Sequence, residues 1–233
     1  MRQPATYQAF LTNTSAAMTR LSYESRLRLD GFRASNASII IAISVSSIPG
    51  EARSVIEARI AKVVMVASLA IFAFIVTFDN LIDFDTNFEF VQHVLSMDTI
   101  HQGSALLYRR VTSPALWTAA YALIILGEGL TALALAVAAG VLLRDLRSDA
   151  GRFNRGKRFV HIGATLGFMV WFFGFMVIGG EWFQMWQSPT WNGQEAAFRF
   201  YMTILAVLIF VNQKDGALAT AAGRSTIAAA LER

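Results

Sequence analysis

The chain has 233 residues, of which 55% are hydrophobic and only 15% charged, against roughly 25% charged in soluble domains. With a mean hydropathy of +0.48 it cannot clothe a water-soluble surface of this size, so a lipid bilayer is the expected environment. The net charge of +4 lies in short runs between apolar segments rather than in a basic stripe interleaved with aromatics, which excludes nucleic acid, and the lack of cysteine excludes disulfides, thiolate metal sites, cysteine nucleophiles and c-type haem attachment.

Residues 1–54 are rich in Ser, Thr and Ala and use Arg without Lys. Their best apolar stretch, SIIIAISVSSI (Ser38–Ile48), is too short to cross a membrane. Two readings stand level: a disordered cytoplasmic extension, or a true start near Val55 or Ile56. A cleaved leader is disfavoured, because the basic part is too long and the apolar part too weak. N-terminal sequencing of the native protein separates these readings.

Residues 55–213 form the expected membrane domain, and 214–233 a short cytoplasmic tail. A spanning helix needs about 20 mostly apolar residues. Four segments qualify: Ile60–Phe78, Ala115–Leu143, Phe159–Phe183 and the shorter Ala196–Val211. None alternates as a barrel strand would, so the fold class is all-α, a four-helix transmembrane bundle. The link RDLRSDAGRFNRGKR (Arg144–Arg158) carries six Lys/Arg residues, and further basic residues flank the first and last spans. The positive-inside rule then places both termini and this link in the cytoplasm of a bacterial inner membrane. Arg109 and Arg110, in the first outer loop, are the discordant pair.

That loop opens with Asp79, Asn80, Asp83, Asp85 and Asn87, expected at the water-facing edge. Within Phe88–Met97, Phe88, Val91 and Leu95 share a face, which predicts a short interfacial helix with its aromatics in the acyl boundary. His93 and His101 lie among Glu89, Asp98 and Asp83. A proton-handling His–Asp pair or a metal site is one reading. Solvated groups that cap the short helix are the favoured one, and no metal site is assigned.

Glu128, in LGEGLTAL near the middle of the second span, is the most costly residue, at roughly 2.5–3.5 kcal/mol on insertion scales for a charge at the bilayer centre. A buried carboxyl tends to hold its proton and should face the bundle interior. Its flanking glycines let another helix approach. Two readings remain level: a proton relay, ion or quinone contact, or interhelical glue to Thr165, Thr203 or a backbone carbonyl. At the outer end of the third span, Glu181 stands beside Trp182, Trp186 and Trp191, an aromatic belt. An ion pair Glu181–Arg199 is expected, with Glu195–Arg199 as the i,i+4 competitor. Asp79, Asn80, His93, Asp98, Glu181, Gln187, Asn192 and Arg199 are expected to converge at one membrane level. His161 reads as an inner interface residue, with a haem-ligand role as the other reading.

The strings NFEFVQHVLSMDT (Asn87–Thr99) and GGEWFQMWQSPTWNGQEAAFR (Gly179–Arg199), with FDN at Phe78–Asn80, resemble the bacterial predicted small integral membrane proteins classed as a domain of unknown function. The resemblance covers roughly Glu57–Gln213. It implies a multi-pass inner-membrane protein and supplies no chemistry, and the leading segment departs from the family pattern. Among the residues, no Ser–His–acid set, HExxH or phosphate-binding glycine loop speaks for a hydrolase or a pump. The leading expectation is a non-catalytic accessory or scaffold protein. It would contact the lipid bilayer and a membrane-protein partner or a second copy of itself. The alternative is a component that binds a small ligand, quinone, haem or ion through Glu128 and the outer cluster.

Overall fold

The computed structural model describes residues 50–218, so the expectations for the leading segment and for most of the tail lie outside the described residues. Contacts divide the chain into Met1–Arg53 and Ser54–Arg233, and all packing below lies within the second unit. The helices are α1 (Gly50–Ile82), α2 (Phe84–Ser96), α3 (Pro114–Arg144), α4 (Ala150–Gly156), α5 (Arg158–Phe168) and α6 (Gln194–Asn212). Helix α5 runs on into a π-helical stretch, Met169–Trp182. No strand occurs among the described residues, and the bundle is all-α as expected.

Four helical segments are long and apolar enough to cross a bilayer: Arg53–Ile82, Pro114–Arg144, Ala150–Trp182 and Gln194–Asn212. The first and third start earlier than the sequence suggests. Lys157 keeps helical backbone angles between α4 and α5, so the basic link is partly helical rather than a simple loop. Large apolar side chains along the spans point outward, with Leu123 and Ile209 each 68% exposed. In water such a surface would aggregate; in lipid it is the wetted face.

One stripe of α3 is buried: Tyr121, Ile125, Glu128, Thr131, Leu135, Ala138 and Leu142. These positions recur every three or four residues, the spacing of a single helical face. Helix α5 meets this stripe through Gly163 and Gly167, a GxxxG pair. A methyl group on Gly163 would lie 2.7 Å from Leu135 Cγ, and one on Gly167 would lie 2.8 Å from Ile204 Cδ1. Lipid supplies no hydrophobic drive between helices, so this close backbone approach is what dispersion contacts require. Above the glycines Trp171, 2% exposed, stacks at an angle on Phe72 and Phe200, tying in α1 and α6.

At the end that carries the basic link, charge holds the helices together. Arg59, fully buried, donates to the carbonyls of Leu146 (3.0 Å), Ser148 (2.8 Å) and Gly216 (3.0 Å). Its guanidinium lies 4.5 Å over the Phe153 ring. Lys62 and Lys157 share Asp215 Oδ2 at 2.7 and 2.5 Å, and both also donate to the Gln213 carbonyl. Lys62 therefore does not reach out to the headgroups as a snorkelling residue would. Its ammonium turns inward to a carboxylate.

Asp145, buried beside this knot, accepts from Arg144 (3.1 Å) and Arg152 (3.0 Å). The Arg144 hydrogen bond is the main reason its carboxyl is held below the usual carboxylate range. A depressed value means the stabilisation is complete above the unfolded value, about 3.9, and is lost as pH falls through the folded value. Wild-type stability in detergent is thus expected to fall below about pH 4, and Asp145→Asn should flatten that acid limb while leaving the shape of the neutral-pH profile unchanged. An unaltered acid limb in the variant would assign the acid sensitivity elsewhere.

Candidate ligand site around Glu128

Glu128 lies midway along α3 and is bound to Asn80 near the end of α1. Between Lys62 and Asn80 α1 rises about 27 Å at ~1.5 Å per residue, and α3 continues about 21 Å beyond Glu128 to Pro114. That part of α3 is covered by α2, where Phe84 and Phe88 pack on Tyr121. On its other side α2 packs Val94 and Met97 with Phe183 and Met185. Phe84 and Phe88 are thus half-buried against Tyr121, while Asp85, Thr86, Asn87 and Glu89 of the same helix stay exposed.

Asn80 is likewise not in a loop. Helix α1 runs past it to Ile82, and it is 7% exposed. Its amide nitrogen donates to Glu128 Oε2 at 2.7 Å, and its amide oxygen accepts from Asn87 Nδ2 at 2.7 Å. The Tyr121 hydroxyl donates to the Asn80 carbonyl at 3.3 Å. The bend at Asp83, between α1 and α2, folds Asn87 back over Asn80. Glu128, Asn80 and Asn87 thus form a line of hydrogen bonds from a buried carboxyl to an exposed amide. The expected partners are absent from it: Thr203 bonds the Arg199 carbonyl of its own helix, and Thr165 is exposed.

These polar groups line one side of a cavity of about 240 Å³. Phe90, Tyr121, Trp171, Phe175 and Phe200 supply its aromatic walls, and Gly193, Ala196 and Ala197 its floor. The π-helical turns form it. Their i→i+5 bonding, seen where Phe183 N–H reaches Ile178 O at 3.0 Å, widens each turn. Trp171, Phe175, Gly179 and Gly180 then follow one another on the inner face. Gly193 lets α6 begin against these rings, since a Cβ there would stand 3.0 Å from Phe90 Cζ and 3.3 Å from Phe175 Cδ1. A small number of convergent polar groups in an aromatic cavity is the usual construction of a small-molecule site.

Glu128→Ala should leave the Asn80 amide without an acceptor in a dry site, at about 1–3 kcal/mol. Glu128→Gln keeps a side-chain oxygen and should cost less than half as much. Unfolding of both variants in detergent checks this, and equal losses would remove the Asn80 bond as the cause.

The other outer residues do not join the cavity. His93 Nδ1 lies 2.7 Å from Asp98 Oδ2, with Glu89 at 3.8 Å from Nε2, and its ring stacks on Trp191 at 4.6 Å. The His–Asp contact is thus present in the structure, and neither residue lines the cavity. No group of three metal-ligating side chains occurs among the described residues. Arg199 pairs with Glu195 rather than with Glu181, because one helical turn brings the nearer carboxylate to it. Asp79, Asp83, Glu181, Asn192 and Arg199 are all exposed, and the two loops meet through Thr99 with Ser188, His101 with Gln187 and His93 with Trp191. Asp83 accepts from Thr86, Gln187 from the His101 N–H, and Asn192 from the Gln194 N–H. Trp182 and Trp186 are 51% and 53% exposed and suit a belt, whereas Trp191 is packed inward. The discordant Arg109 lies 4.4 Å over the Trp182 ring, a stacked interfacial cation.

Sequence reasoning passed over Tyr121, Phe90, Trp171, Phe175 and Phe200, and placed Asn87 only at the water-facing edge. Tyr121 carried a signal, standing seven residues before Glu128 on the same helical face. The wall residues carried none that separates them from lipid-facing aromatics.

Residues 58–214 match the family described as predicted small integral membrane protein (DUF2165). The chain belongs to this family. All four membrane helices, both quoted motifs and the whole Glu128 cavity fall within or overlap the matched region of this small integral membrane protein. No curated protein and no solved structure matches it.

Proposed function

We propose that this multi-pass membrane protein is a binding component for a small, largely apolar molecule, held in the cavity between its helices with a polar end at Glu128. The aromatic cavity with a single buried carboxyl carries this reading. Non-catalytic binding fits the residues better than chemistry, since no nucleophile stands beside a base there. The positive-inside rule puts the basic link and the inner knot in the cytoplasm of a bacterial inner membrane, and the cavity in the outer half of the bilayer. The accessory-protein reading, in which the outer end docks a membrane partner or second copy, draws its support from Tyr108, Trp182 and Trp186, which are exposed around Arg109.

Mass spectrometry and a 350–700 nm spectrum of protein extracted into lipid nanodiscs test the binding reading. A small molecule should accompany the wild type and be lost from Ala197→Phe, whose ring fills the cavity. Identical small-molecule content in the two proteins, with both folded, would sink the reading in favour of a partner-docking role.

A further inference from the structure

The proposed binding role leaves the chemical class of the occupant open, and the cavity's charge distribution narrows it. Glu128 is the one carboxyl in the lining, and no lysine, arginine or histidine lines the cavity with it. Its hydrogen-bond partner, Asn80, is a neutral amide that brings no counter-charge. The nearest basic side chains of α1, Arg59 and Lys62, are committed to the knot at the far end of the helix. Arg199 of α6 is exposed and paired with Glu195. The walls include five aromatic rings, those of Phe90, Tyr121, Trp171, Phe175 and Phe200, whose faces carry the negative part of the ring quadrupole.

An aromatic enclosure with one anionic group is the arrangement that recognises organic cations. Ring quadrupoles attract a cation that is too poorly hydrated to prefer water, and a carboxylate supplies the single full charge. Quinones and haem fit less well. A quinone carbonyl asks for a hydrogen-bond donor, and the Asn80 amide and the Tyr121 hydroxyl already donate to Glu128 and to the Asn80 backbone carbonyl. A haem is a large macrocycle, and neither His nor Met lines this small cavity to ligate it, while the Tyr121 hydroxyl is bonded to the Asn80 carbonyl. Its volume, about 240 Å³, is just below the usual range for drug-sized ligands, roughly 300–1,000 Å³, so the occupant is small.

We infer that the Glu128 cavity takes a small organic monocation of the alkylammonium or quaternary ammonium type, its charge at Glu128 and its carbon groups against the rings. This rests on the binding reading above and specifies its ligand.

The test compares choline with its uncharged carbon isostere, 3,3-dimethyl-1-butanol, by equilibrium dialysis against the full chain in nanodiscs, with empty nanodiscs subtracted. Choline should bind at least tenfold more tightly than the isostere. Glu128→Gln should lose at least tenfold in choline affinity and leave the isostere unchanged. Phe175→Leu, which keeps the carboxyl and removes a ring, should weaken choline severalfold and serves if Glu128→Gln does not fold. Equal binding of both probes, or choline binding indifferent to both variants, overturns the cation assignment while leaving a neutral-ligand site standing. Failure of choline to bind the wild type also overturns it. The nanodisc comparison with Ala197→Phe decides the binding role independently of that result.

Discussion

Asp215→Ala is expected to destabilise the protein by about 3–5 kcal/mol, the usual cost of removing one member of a buried ion pair. Its carboxylate is 2% exposed and neutralises both Lys62 and Lys157. With Arg59 beside them, two buried ammonium groups would then lose the one carboxylate they touch. The cluster already carries one unsatisfied buried donor, Arg59 Nε. Relaxation by moving the lysines to the membrane surface would give up their bonds to Gln213 and Asn154. Lys214→Ala, at an exposed neighbour, should stay within about 0.5 kcal/mol. Reversible unfolding in mixed micelles measures both. A loss below about 1 kcal/mol for Asp215→Ala, the range of exposed pairs, would show that the knot is effectively solvated.

The second large effect is expected at the α3–α5 seam. A Cβ on Gly163 would sit 2.7 Å from Leu135 Cγ and Cδ2, and 3.1 Å from the Leu135 backbone nitrogen. The side chain could yield, but the backbone could not without parting the helices. Gly163→Ala should cost about 1–3 kcal/mol, as overpacking does, and Gly163→Val more, with loss of a monodisperse peak on gel filtration. At Gly140, on the same helix as Leu135, an added methyl would have nothing within 4 Å. There Gly→Ala should be neutral or stabilise by about 0.5–1 kcal/mol, because only backbone entropy changes. The two glycines therefore move stability in opposite directions. Equal effects would mean that the seam is not tightly packed.

The number and approximate limits of the spans are legible in the sequence because each is a continuous apolar run, which a membrane imposes on the chain directly. Glu128 stands out for the same reason: a carboxyl inside such a run is rare. Its partner does not, since Asn80 looks like the first polar residue beyond a span, and only the depth of α3 relative to α1 shows that they are level. Asp215 looks like the start of a tail because its partners are remote in sequence, with Lys62 separated from it by 153 residues. The Gly163–Gly167 pair is readable, as GATLG has a recognised spacing, but other glycine-rich stretches compete with it. For Glu181 and Arg199 the simple i,i+4 contact prevails over the longer-range pair, as local geometry makes it the cheaper arrangement in entropy.

The inner knot also dictates an order of assembly. Arg59 and Lys62 belong to the first helix made, yet Gly216, the carbonyl that completes the Arg59 guanidinium, follows it by 157 residues. Arg59 can bond the Leu146 and Ser148 carbonyls once α3 is in place, but every hydrogen-bond partner of Lys62 lies beyond α6. Closure of the bundle at that end therefore follows the insertion of α6, and the arrival of Asp215 latches it.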